Sequence, residues 1–230
     1  MTKFENIKVI TFDADGTLWD FMKVMRYSLQ KVLDALVEID PSFAEKLNID
    51  KMIDIRNKVA NDLKGIITNL EEIRLRAFME TLTVINKPNE ELAKFLNDIY
   101  YKHRFDNIKL YDDVLPTLQS LKGKYILGIL SNGNSYPEKC GLDNIFDFVI
   151  FAQDYGIEKP DPGLFKVALD ISGSKPSQMI HIGDSIKDDI HGAQNAGVIG
   201  IWINRINEIS KEEIKYEIKS LAEILDMIKE

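Results

Sequence analysis

The sequence predicts an α/β protein: a parallel sheet covered on both faces, interrupted once by a block of helices. Three observations carry this. Five short runs rich in isoleucine, valine and phenylalanine, at residues 7–12, 125–130, 148–152, 179–182 and 199–203, read as buried strands. Helix-like segments separate the later runs, which is the alternation of a parallel sheet. Between Leu18 and about Lys109 no such run occurs, and apolar residues recur at helical spacing instead.

The elements follow in chain order. The first strand ends at Phe12. In LWDFMKVMRYSLQKVLDALVEID the residues Phe21, Val24, Met25, Leu29, Val32, Leu33 and Leu36 share a helical face, with Asp20 available as N-cap. A second helix fits residues 49–63. Thr68 followed by Glu71 matches a capping box ahead of a third helix through about Val84, and NEELAKFLNDIYYKHR supplies a fourth. Residues 19–108 therefore form a helical insertion, and residues 1–18 and 109–230 form the α/β core. Within that core Asp161 and Pro162 cap and open one helix, residues 188–196 make another, and a last helix is expected over residues 211–229. No internal repeat or low-complexity segment is visible.

Composition narrows the function. A chain of 230 residues with 45% hydrophobic composition can bury one large core, or one core and a smaller appended unit. A formal net charge of -8 gives no general pull toward nucleic acid or anionic lipid. The single cysteine, Cys140, excludes an internal disulfide framework. The N-terminus MTKFENIKVITF has too little apolar length before Asp13 for a signal sequence or membrane span. A cytoplasmic protein with a small-molecule partner, and no nucleic acid or membrane partner, is the expectation; monomer and homodimer both stay open.

The polar residues that follow the strands carry the chemistry. After the first run comes Asp13-Ala14-Asp15-Gly16-Thr17. The second leads to Ser131-Asn132-Gly133. GIEKPDPG places Lys159 after the third, and the fourth leads to Gly183-Asp184-Ser185-Ile186-Lys187-Asp188-Asp189. In open parallel sheets ligands bind outside the carboxyl ends of the strands, so these groups are expected to converge. Clustered carboxylates repel unless a cation or protons neutralise them, and an oxygen-rich donor set suits Mg²⁺. Lys159 is no ligand for Mg²⁺ but offsets negative charge and can hold a phosphoryl oxygen or a nucleophilic carboxylate. Hydroxyls at Thr17 and Ser131, with backbone N–H groups beside Gly16 and Gly133, provide the hydrogen bonds that a phosphoryl group needs.

Together these four ordered motifs, DADGT, Ser131-Asn132-Gly133, Lys159 in EKPDP and GDSIKDD, resemble those of the haloacid dehalogenase (HAD) superfamily in its phosphatase branch. The resemblance implies a Rossmann-like core and, from the position of the insertion, a helical cap. It also implies roles. Asp13 would attack phosphorus to form an aspartyl-phosphate, with its other oxygen on Mg²⁺. Asp15 would protonate the leaving oxygen and then activate water, its backbone carbonyl binding the metal. Ser131 would bind the phosphoryl group with Asn132 assisting, and Thr17 and Gly133 would complete that pocket. Lys159 would steady Asp13 and the transferring charge. Asp184 would be a direct Mg²⁺ ligand and Asp189 one acting through water, with Asp188 a rival for that place. The substrate would be a small phosphate monoester.

Alternatives stay open on the same residues. True dehalogenases of the superfamily do not keep an acid/base aspartate at the position of Asp15, which subtracts from that reading. Phosphomutases keep both aspartates, and a phosphate-binding protein without turnover keeps its pocket. One departure is local: NSYPEKC, before Gly141, is short for the helix that family members carry there, and Pro137 restricts it further. His181 within a strand reads as a core imidazole, Cys140 as a small packed residue, and Tyr100, Tyr101, His103 and Arg104, like Trp19, Lys23 and Arg26, as the surface of amphipathic helices.

Overall fold

β-Branched residues recur in the apolar runs, so each run extends as a strand. The computed structural model describes residues 4–228. The chain starts with β1 (Val9–Phe12) and then gives four helices: α1 (Phe21–Ile39), α2 (Ile49–Leu63), α3 (Leu70–Val84) and α4 (Glu90–His103). There follow α5 (Val114–Leu121), β2 (Ile126–Ser131), β3 (Phe148–Phe151), α6 (Ala152–Tyr155), α7 (Pro162–Ser172) and β4 (Met179–Gly183). A π-helical turn, Ile186–His191, runs into α8 (Gly192–Asn195), and β5 (Ile199–Ile203), β6 (Glu217–Ile218) and α9 (Ile224–Met227) complete the chain. Two compact units result: the segments ending at Asp20 and beginning at Lys109 form the α/β unit, and Phe21–Ile108 forms a helical one.

In the α/β unit the six described strands are all parallel, in the order β3-β2-β1-β4-β5-β6. Phe12 at the end of β1 lies opposite Ile129 on one side and Ile182 on the other. The three carboxyl ends are therefore level, and whatever follows them leaves the sheet at one edge. The chain runs from β1 outward to β2 and β3 and then returns to the other side of β1, which makes the β1–β4 crevice the switch point of the topology. Val9, Leu130 and Ile150 bury one face of the sheet against Leu164, Phe165 and Ala168 of α7. Asp161 caps that helix by accepting from the Gly163 N–H at 2.7 Å, with Pro162 in the first turn.

The helical unit closes around its own core. Met25, Leu29, Val32 and Leu36 of α1 pack with Phe78 and Leu82 of α3 and with Leu96 and Tyr100 of α4, all but fully buried. Asn48, Asn69 and Asn89 cap α2, α3 and α4 by accepting from backbone N–H groups of the first turn. The third cap is thus Asn69 and not the Thr68 of the expected capping box. Asn69 stands next to the first helical residue and its side chain takes both the Glu71 and Glu72 N–H groups at 3.0 and 3.1 Å.

Two other expectations are corrected. The helix expected over residues 211–229 does not form among the described residues. Ile214, Tyr216 and Ile218 alternate with charged neighbours, a period of two, and β6 pairs here through Trp202 N to Tyr216 O at 3.0 Å and Asn204 N to Ile218 O at 2.7 Å. A genuine capping box, Ser220 with Glu223, then starts a short helical stretch. The expected helix at 188–196 begins earlier, in the π-turn, where the Ile190 N–H reaches back five residues to Ser185 O at 3.3 Å. NSYPEKC forms only a single 3₁₀ turn, Pro137–Cys140, closed by Gly141.

The core of the helical unit is tight enough to test. Leu82→Ala, at a fully buried position, is expected to lower unfolding free energy by about 2–5 kcal/mol. Urea denaturation followed by circular dichroism measures it, and a change under about 0.5 kcal/mol contradicts this packing.

Candidate active site

The strand ends bring together charges that are far apart in sequence. Asp13 follows β1 directly, with its N–H donated to Ile182 O at 2.8 Å. Its Oδ1 accepts from Lys159 Nζ at 2.8 Å and from the Ser131 hydroxyl, at the end of β2, at 3.1 Å. Lys159 is 1% exposed. Its three ammonium hydrogens have three acceptors: Asp13, Asp189 Oδ1 at 2.6 Å and Leu130 O at 2.7 Å. Burial would lower the Lys159 pKa, but Asp13 and Asp189 overturn that and hold it above its usual value.

The loop that carries Lys159 is fixed by Asn132. Asn132 Oδ1 accepts from the Lys159 N–H at 2.8 Å, and its Nδ2 donates to Lys159 O at 2.9 Å. The amide thus binds the backbone of the very residue whose ammonium meets Asp13.

Asp189 is buried and held from several sides. Besides Lys159, its Oδ1 faces His181 Nε2 at 3.1 Å and its Oδ2 accepts from the Ser185 N–H at 2.9 Å. Burial opposes its charge, yet Lys159 and His181 win and keep its carboxyl well below the usual range. His181 is fully buried on β4, as the sequence suggested, and burial lowers its pKa. A hydrogen on Nε2 lets the neutral ring donate to Asp189 while Nδ1 accepts from the Thr11 hydroxyl at 2.9 Å. The core histidine is therefore also a support of the site.

Carboxylate oxygens of Asp13, Asp184 and Asp189 lie within 4.8 Å of one another. Asp188, the rival for the last place, is half-buried and its N–H donates to Ser185 Oγ at 3.1 Å. Burial raises the Asp13 pKa well above 3.8, only partly offset by Lys159, and Asp189 and Asp184 push the same way. Asp184 opens to solvent on one side, but its largely protein surroundings, and next Asp189, push it up to about 7. Crowded oxygens that resist ionisation fit a divalent cation, and this all-oxygen set suits Mg²⁺. Gly16 is required here: at φ +89° a Cβ would lie 2.3 Å from Asp184 Oδ2. Thr17 Oγ1 reaches Asp184 Oδ1 only at 3.5 Å, and Thr17 O accepts from Arg205 Nε at 3.0 Å.

Asp15 is held by a different set of donors. Its Oδ1 accepts from the Trp19 indole N–H at 2.8 Å and the Ser135 hydroxyl at 3.0 Å. Its Oδ2 lies over Gly133, where a Cβ would come within 2.5 Å of it and 3.3 Å of Ser131 Oγ. Trp19 is no helix surface residue: it is 0% exposed within the α/β unit and pairs with Asp15 and with Leu110 in isolated bridges. Sequence reasoning missed Trp19 and Ser135 as partners of Asp15. A tryptophan four residues after an aspartate, in a loop that must turn back, was the available signal. The cluster at residues 100–104 also divides, with Tyr100 and Arg104 buried and Tyr101 exposed.

This geometry has counterparts. Residues 7–197 match the model of the haloacid dehalogenase-like hydrolases. A glyceraldehyde 3-phosphate phosphatase of Methanopyrus kandleri is 25% identical, over 97% of this chain and 98% of that protein. A 5-amino-6-(5-phospho-D-ribitylamino)uracil phosphatase of Escherichia coli is 27% identical, over 87% of this chain and 85% of that one. The crystal structure of a 2-haloacid dehalogenase from Pseudomonas syringae superposes with a TM-score of 0.80 at 28% identity, covering 96% of this chain and 97% of the other. The chain belongs to the haloacid dehalogenase-like hydrolase family. Its parallel sheet and helices are the Rossmann-like α/β fold of that family, and no described helix is long and apolar enough to cross a membrane.

The raised Asp184 carboxyl gives a signed prediction. Its pKa moves from 3.8 unfolded to about 7 folded, so the folded state binds more protons in that window. Without a divalent cation stability therefore falls as pH rises through it. Added Mg²⁺ competes with the proton, so its stabilising thermal shift is expected to be larger near about pH 8 than near about pH 5.5. Scanning fluorimetry at both pH values measures this; equal shifts, or none, contradict the assignment.

Proposed function

We propose that this hydrolase is a phosphatase that removes phosphate from a small monoester through a covalent phosphate on Asp13, with Mg²⁺ as cofactor. The observation that carries the reading is the contrast between two neighbouring carboxylates. Asp13 is anchored by a buried ammonium and crowded by other acids, whereas Asp15 is anchored by an indole and a hydroxyl. Two carboxylates in unlike environments take unlike roles, one as nucleophile and one as proton carrier. The named phosphatase relatives support the same class.

Asp13 attacks phosphorus, and its new bond forms as the bond to the leaving oxygen breaks. Asp15 gives that oxygen its proton. Water then loses a proton to Asp15 as its oxygen attacks phosphorus, the bond between phosphorus and the Asp13 oxygen breaks, phosphate leaves and both aspartates are restored. Lys159 balances the charge on Asp13 throughout, and Asn132 keeps Lys159 in place. Ser131, the Gly133 N–H and the Thr17 turn receive the phosphoryl oxygens. Asp13 and Asp184, with the Asp15 backbone carbonyl, would hold Mg²⁺, and Asp189, whose oxygens already serve Lys159, His181 and Ser185, would act at one remove. The metal supplies charge neutralisation for the transferring group. The helical unit takes the part of the cap.

The likeness to a dehalogenase raises a second reaction on the same nucleophile, displacement of halide. Asp15 argues against it, since halide leaves without a proton. The deciding experiment measures phosphate release from a panel of small esters with Mg²⁺ and with chelator, for the native chain and Asp13→Asn. Metal-dependent release that falls at least about 1000-fold in Asp13→Asn is expected. Full activity in the variant refutes the nucleophile, and halide release without phosphate release refutes the class.

A further inference from the structure

Asp15 must present one defined oxygen to the leaving group, and its surroundings decide which. The indole nitrogen of Trp19 is a donor only, so the Asp15 oxygen it meets cannot itself be the hydroxyl at that contact. The Ser135 hydroxyl donates to the same Oδ1. With both donors on Oδ1, a proton on Asp15 sits on Oδ2. That atom overlooks Gly133, whose missing Cβ keeps open the space between Oδ2 and the Ser131 hydroxyl. The anchor is rigid at its base: Trp19 is fully buried, and its carbonyl accepts from the Gly16 N–H at 2.9 Å, which closes the loop 15–19 on itself.

We infer that Trp19 and Ser135 are positioning residues that clamp Oδ1 of Asp15, so that Oδ2 alone exchanges the proton with the leaving oxygen and then with water. The inference rests on the phosphatase reading above and adds to it two residues and one atom. Each half-reaction balances: Oδ2 loses its proton as the leaving oxygen gains one, and regains a proton from the water whose oxygen bonds to phosphorus. A carboxyl freed from the clamp can rotate its two oxygens and lose the aim of its O–H, which costs rate where a proton must be delivered and little where none is needed.

The test separates positioning from a merely structural role by varying the leaving group. Native protein, Trp19→Phe, Ser135→Ala and Ser135→Thr are compared by kcat/KM, which reports steps through loss of the leaving group, on p-nitrophenyl phosphate and on glyceraldehyde 3-phosphate. The nitrophenolate departs without a proton; the alkoxide does not. Trp19→Phe is expected to lose about 10- to 100-fold on the alkyl ester and under about 3-fold on the aryl ester, with Ser135→Ala showing the same bias more weakly and Ser135→Thr restoring it. Circular dichroism and melting identify any variant that fails to fold, and Ser135→Ala, which removes one oxygen, then carries the test. Equal losses on both esters, or no loss on either, overturn the clamp while leaving the phosphatase reading intact. Native protein that hydrolyses neither these two esters nor any other of the panel above overturns that reading and the clamp with it.

Discussion

A single buried ammonium sets the terms for the site. Lys159 lies at the carboxyl edge of the sheet with its three hydrogens shared between two aspartates and a carbonyl. Removing one partner of such a buried pair generally costs about 3–5 kcal/mol, because the other charge stays behind in low dielectric. The chain accordingly spends much of its local structure on this one group. Asn132 ties down its backbone, the end of β2 supplies the Leu130 carbonyl, and the π-turn after β4 brings Asp189 beneath it. What remains of the negative charge, on Asp13 and Asp184, is left for a cation and a phosphoryl group to settle.

The order of the strands explains why these groups meet. Because β1 lies between β2 and β4 with their ends level, residues 13, 131 and 184 leave the sheet side by side although they are far apart along the chain. Asp15, two positions further along the turn, is held by Trp19 and Ser135 and not by the ammonium, whose three hydrogens go to Asp13, Asp189 and Leu130 O. Its partners are the indole and hydroxyl of the α/β unit, so its chemistry is separated from that of Asp13 by one intervening residue, Ala14, and a different set of hydrogen bonds.

The strands and the positions of the motifs were legible in the sequence because both depend on local pattern: runs of Ile and Val, then Asp, Ser or Gly. What was not legible depends on side chains that reach across the fold. Asn132 reads as one more polar residue beside Ser131 until its amide is seen on the Lys159 backbone. Trp19 reads as part of a helix because its neighbours from Phe21 onward are helical, and only its bond to Asp15 assigns it to the sheet side. Ser135 carries no pattern at all. At the C-terminus the charged residues around Ile214, Tyr216 and Ile218 satisfy helix composition well enough to hide a period of two, and Ser220 with Glu223 marks the true start of a helix.

The most direct measurement is of the covalent state of Asp13. Native protein mixed with Mg²⁺ and the fastest ester of a phosphate panel, quenched in acid within the first turnover and digested, is expected to yield a phosphorylated peptide that contains Asp13 and loses its phosphate to hydroxylamine, as an acyl phosphate does. Mass spectrometry that finds turnover without this adduct, or with phosphate on another residue, contradicts the account at its centre.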